Sequence, residues 1–105
     1  MYELPRGYKL KRKPEEKKGK RYNEVYICMK VPAKYKLSDE DIEYINIECI
    51  KPEDCFRLTK NKSGNVYANA FDVSEKKINT QKIVEGLPRR FTNVVKKFRD
   101  CQNPS

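Results

Sequence analysis

Twenty-four lysines and arginines stand against fifteen aspartates and glutamates in this chain of 105 residues, and it contains no histidine. The chemistry this inventory favours is anion binding. A net charge of +9 attracts nucleic acid, acidic proteins or anionic surfaces. The same inventory argues against catalysis, because the usual proton shuttle near neutral pH is missing. The acids of 39–43 fit helix capping and those of 53–54 fit a turn. The four glycines are isolated, so there is no glycine-rich loop to cradle a phosphate. The expectation is a binding protein that is not an enzyme and carries no cofactor.

Four cysteines are the other reactive groups: Cys28, Cys49, Cys55 and Cys101, separated by 20, 5 and 45 residues. Zinc sites draw their thiolates from closely spaced pairs, and no such pair occurs. No metal is expected. The thiols read as reduced, small apolar side chains of an interior.

The cations gather in two places. Within residues 1–22 lie Arg6, Lys9, Lys11, Arg12, Lys13, Lys17, Lys18, Lys20 and Arg21, against Glu3, Glu15 and Glu16. Tyr2, Tyr8 and Tyr22 are interleaved and could stack on bases. Apolar residues are sparse there, too few to offset the entropy of ordering. Composition therefore predicts a flexible basic arm over 1–22 and a single folded domain over 23–105. The second group is Arg89, Arg90, Lys96, Lys97 and Arg99, in a stretch from Pro88 to Arg99 that contains no acid.

The elements that must position these groups follow from periodicity. Val25, Ile27, Met29 and Val31 alternate with Tyr26, Cys28 and Lys30 and predict a strand over 24–31, closed by Pro32. Ser38 followed by Asp41 forms a capping box, and Leu37 with Ile42 a hydrophobic staple, so a short helix begins there. Ile45, Ile47 and Cys49 alternate and predict a second strand. Asn61, Lys62, Ser63 and Gly64 supply turn chemistry between strands at 56–60 and 65–73. Leu87, Phe91, Val94, Val95, Phe98 and Cys101 fall on one face of a C-terminal helix. Its first piece, capped by Asn79 or Thr80, is expected to kink or restart at Gly86 and Pro88.

The fold class read from this order is α+β: a small antiparallel sheet of three to four strands, one short helix and a long amphipathic C-terminal helix, preceded by the basic arm. Tyr67 and Phe71 share one face of the second hairpin strand. They are expected in the core, with base stacking as the second reading. The pattern of RNA-recognition motifs is not met, because the first helix is too short and residues 64–71 lack its sequence.

The function expected is a non-catalytic nucleic-acid-binding protein, RNA slightly preferred, held by phosphate contacts from the arm and the outer arc of the helix. One alternative is a small interaction protein, virus- or phage-encoded, that docks on an acidic host protein; the Lys, Asn, Ile and Tyr bias fits an AT-rich genome. Another is a structural subunit of a ribonucleoprotein. The longest apolar runs are a few residues, so no membrane partner is expected. The N-terminal region lacks a signal peptide's apolar stretch, so the expected location is cytoplasmic or nuclear.

Overall fold

The computed structural model describes the backbone of residues 3–17, 20–71 and 80–102, and the side chains of 3–11, 26–71 and 81–102. Four strands form one antiparallel sheet: β1 (Tyr8–Lys17), β2 (Lys20–Lys30), β3 (Phe56–Lys60) and β4 (Val66–Ala70). Their spatial order is β1-β2-β4-β3. The helices are α1 (Asp39–Tyr44) and α2 (Thr80–Gln102). The α+β class expected from the element order is the one found.

Alternation divides the sheet into two faces. One register row runs Tyr8, Met29, Ala68, Leu58, and the next runs Leu10, Ile27, Ala70, Phe56. Of these, Ile27, Met29, Phe56, Leu58, Ala68 and Ala70 are buried. They form one core with Val84, Leu87, Phe91, Val95 and Phe98 of α2, which recur at the helical spacing that puts them on one stripe. Among the described residues, α2 thus covers one face of the sheet. Phe91 meets Tyr35 edge to face, with ring centroids 4.9 Å apart.

The capping box forms as read. Ser38 Oγ accepts from the Asp41 N–H at 3.0 Å, and Asp41 accepts from the Ser38 N–H at 2.9 Å. The hairpin turn also forms: Asn61 Oδ1 accepts from the Asn65 N–H at 2.8 Å, and Gly64 takes a φ of +89°, a conformation open to glycine.

Four expectations are corrected. The stretch read as a flexible arm is strand: β1 occupies 8–17 and pairs with β2 in register from Tyr8↔Met29 to Lys17↔Lys20. The reason is alternation hidden by composition. Tyr8 and Leu10 fall opposite Met29 and Ile27, and Leu4 and Tyr8 pack against the core. A boundary at residue 22 therefore cuts through β2. Pro14 is tolerated because β1 lies at the sheet edge, where a missing N–H costs no ladder bond.

The strand expected from Ile45 to Cys49 is instead a π-helical turn, closed by the Ile50 N–H on the Ile45 carbonyl at 3.1 Å. Ile42, Ile45 and Cys49 are buried while Ile47 is exposed, so a helical period overrode the period of two. α2 runs unbroken through Gly86 and Pro88 instead of restarting. Cys101, expected on the apolar stripe, is exposed.

The π turn places Asn46 against the free edge of β3. Its amide donates to the Leu58 carbonyl and accepts from the Leu58 N–H, both at 2.9 Å. The side chain pairs with the Leu58 backbone as a neighbouring strand would and occupies the middle of that edge. Asn46→Ala should cost about 1–3 kcal/mol, the penalty for backbone groups left unpaired. Asn46→Asp, which keeps the acceptor and loses the donor, should cost too. Urea unfolding checks this, and an unchanged midpoint in the Ala variant would remove Asn46 from the account.

Candidate nucleic-acid interface

The face of the sheet turned away from α2 carries the opposite parity of each strand. One register row reads Lys9, Cys28, Asn69, Arg57, and its neighbour reads Lys30, Tyr67, Thr59. Lys11 lies opposite Tyr26. Just past the end of β4, the Phe71 N–H donates to the Cys55 carbonyl at 2.9 Å and continues the pairing. Tyr26 and Phe71 stand side by side, with ring centroids 5.1 Å apart and planes at 32°.

Asn69 fixes the centre of this face. It is buried to 2 % exposure. Its amide nitrogen donates to the Arg57 carbonyl and to Thr59 Oγ1, each at 3.0 Å, and Oδ1 accepts from the Cys28 thiol at 2.9 Å. A buried amide satisfied on both ends locks neighbouring strands in register. Around it lies a concavity of about 790 Å³. Tyr26, Tyr67, Phe71, Lys11 and Arg57 line the sheet side, and Asn46, Ile47 and Lys51 the other wall. The surface therefore offers half-buried rings beside the cations Lys11, Lys51 and Arg57. Aromatic faces stack on bases, and lysine and arginine neutralise phosphates.

Cys28 is not poised for nucleophilic work. Burial pushes its thiol above the ordinary 9.0, against the opposing pull of Lys11 and Lys9. Cys49 is likewise raised, first by burial and then by Cys101. Among the described residues, no group of three or more Cys, Asp and Glu side chains comes together to hold a metal. Cys55 and Cys101 are exposed, whereas Cys28 and Cys49 are buried. A thiol reagent at neutral pH should label Cys55 and Cys101 quickly and the other two only on unfolding; prompt labelling of all four would contradict the burial. Because both raised thiols keep their protons in the folded state at pH values where the unfolded chain loses them, their contribution to stability is intact below pH 9.0 and declines as pH rises beyond it. Replacing Cys28 and Cys49 with Ala should flatten that alkaline decline.

The structure distributes the expected cations over different surfaces. Lys9 and Lys11 lie on the outer face of the sheet. Arg6 precedes β1 and lines a separate groove with Lys30, Lys36 and Lys60. Arg12, Lys13, Lys17, Lys20 and Arg21 occupy backbone positions in β1 and β2, their side chains lying outside the described residues, as does Lys18 altogether. On α2, Arg89, Lys96 and Lys97 are exposed on the side away from the sheet. Arg90 folds back instead: its guanidinium donates to the Asp54 carbonyl and lies 5.0 Å from the Phe56 ring. Arg99 sits 6.0 Å from the Tyr35 ring. Among the described residues, helix and sheet cations thus face opposite sides and do not make one surface.

Tyr67 and Phe71, expected in the core, belong to the outer face and are half-buried there. Tyr26, Lys30, Arg57, Thr59 and Asn69 were not singled out by sequence reasoning. The signal for Tyr26 and Lys30 was available, since they are the second parity of the strand whose first parity is apolar. Comparison with protein-family models, with curated proteins and with solved structures finds no match for this chain.

Proposed function

We propose that the protein binds single-stranded nucleic acid, RNA in preference to DNA, across the outer face of its sheet, and that it does so without catalysis. The observation that carries this is the Tyr26–Phe71 pair on the same sheet face as Tyr67, with Lys9, Lys11, Lys30 and Arg57 at register positions of that face. Unstacked bases are what such rings accept. The cations hold the backbone without reading sequence. The protonated Cys28 thiol at the centre is a packing group here, and a cytoplasmic or nuclear location suits the reading.

Titration of a fluorescein-labelled oligouridylate at several salt concentrations tests it. Affinity should fall with salt along a log–log slope of about 3, from four phosphate contacts at about 0.7 each. A slope near zero, or no binding, would reject the proposal and favour docking on an acidic protein.

A further inference from the structure

β2 ends at Lys30, and a second groove, of about 640 Å³, opens at that end of the sheet. Arg6, Lys30, Lys36 and Lys60 supply its cations, and none of the residues lining it is acidic. Among the described residues, Lys60 has a carboxylate partner, Asp39 at 3.2 Å, whereas Arg6, Lys30 and Lys36 are exposed and have none. Lys30 belongs both to this groove and to the outer face of the sheet, where it stands in register with Tyr67. Its backbone N–H donates to the Gly7 carbonyl at 3.0 Å. Gly7 has no side chain to fill the space beside Lys30 and Arg6, and no atom lies within 4 Å of where a Cβ would stand.

We infer that this groove is where a single strand engaged on the sheet leaves it, past Lys30, with the phosphates of its next nucleotides held between Arg6, Lys30 and Lys36. The inference rests on the sheet-face reading above. A cleft lined by one sign of charge focuses its field and gathers counter-ions. Three unpaired cations around one cleft repel one another, and a phosphodiester chain relieves that repulsion while releasing its own counterions. The ring at the groove wall, Tyr35, is already packed edge to face on Phe91. The groove therefore offers phosphate contacts and no stacking platform, so it adds affinity without reading bases. Affinity should then grow with oligonucleotide length past what the sheet alone accommodates.

The experiment compares fluorescein-labelled oligouridylates of about 4 and about 12 nucleotides, lengths that bracket common single-strand site sizes. It uses two charge-matched variants of the full chain, Arg6→Ala/Lys36→Ala in the groove and Lys96→Ala/Lys97→Ala on α2. The groove pair should weaken the longer probe about fivefold or more and shallow its salt slope by about 1.4, the value for two lost contacts, leaving the shorter probe within about twofold. The α2 pair should change neither probe beyond about twofold, because solvent and salt screen charges on the far side. Equal losses from the two pairs, equal losses on the two probes, or no loss from the groove pair overturns the groove proposal while the sheet site stands. If neither probe responds to Tyr26→Ala, the sheet-face reading itself falls and the groove with it. Lysine acetylation of the unaltered chain guards against variants that disturb the fold: the longer probe should protect Lys36, and the shorter should leave it reactive. Lys36 that stays reactive under saturating longer probe would overturn the proposal. So would equal protection by an oligoglutamate of the same charge, which would assign the groove to an acidic peptide.

Discussion

Phe91→Ala is expected to lower the unfolding free energy by about 3–5 kcal/mol, the cost of deleting a fully buried ring and leaving a cavity. Phe91 is 2 % exposed and central to the stripe of α2 that covers the sheet. Its contact with Tyr35 adds an edge-to-face pair at 4.9 Å, which carries its own increment beyond area burial. A domain of this size holds only about 5–15 kcal/mol in total, so the variant should sit near the edge of folding at ambient temperature. Phe91→Leu, which keeps much of the volume, should recover part of the loss. Chemical denaturation of the three proteins gives the answer. A loss below about 1 kcal/mol is the range of surface positions, and would mean that α2 does not close the core as described.

Replacing Phe71 with Ala should leave stability nearly intact and weaken single-strand binding by about 1–3 kcal/mol, the value of one base–aromatic stack. The ring is half-buried on the outer face, beside Tyr26 at 5.1 Å, and it takes no part in the core under α2. Tyr26→Ala should have a similar effect. The double variant should lose less than the sum, because the paired rings present one continuous platform and neighbouring sites do not add. Anisotropy titrations with oligouridylate and thermal melts on the same samples separate the two roles. Loss of melting stability without loss of affinity would return both rings to a structural role.

Much of this architecture could be read from local chemistry. The Ser38–Asp41 box, the Asn61–Gly64 turn and the apolar stripe of α2 are set by spacings of a few residues, and all three form, the stripe from Leu87 to Phe98 without Cys101. What sequence reading misjudged was decided by long-range pairing. Tyr8 and Leu10 are too few to announce a strand, but β2 offers an open edge and β1 completes it. At 45–49 two periods overlap in the same residues, and the buried trio Ile42, Ile45 and Cys49 settles the contest in favour of helix. The cations expected to act together were grouped by proximity in the chain. Register regroups them: Lys9 and Lys11 join Lys30 and Arg57 on the sheet, whereas α2 carries Arg89, Lys96 and Lys97 on the opposite side. Asn69 shows the limit most clearly. Nothing near it in sequence marks it, yet its partners Cys28, Arg57 and Thr59 make it the central polar residue of the face.

On the proposed function, a single strand lies on the sheet and not on the helix. Titrating the ¹⁵N-labelled protein with oligouridylate and following its backbone amides tests this directly. The amides of Tyr26, Cys28, Arg57, Tyr67, Asn69 and Phe71 should shift, with those of β1 from Lys9 onward, while the amides of Arg89 to Arg99 hold still. Shifts concentrated in α2 with the sheet unmoved would contradict the account.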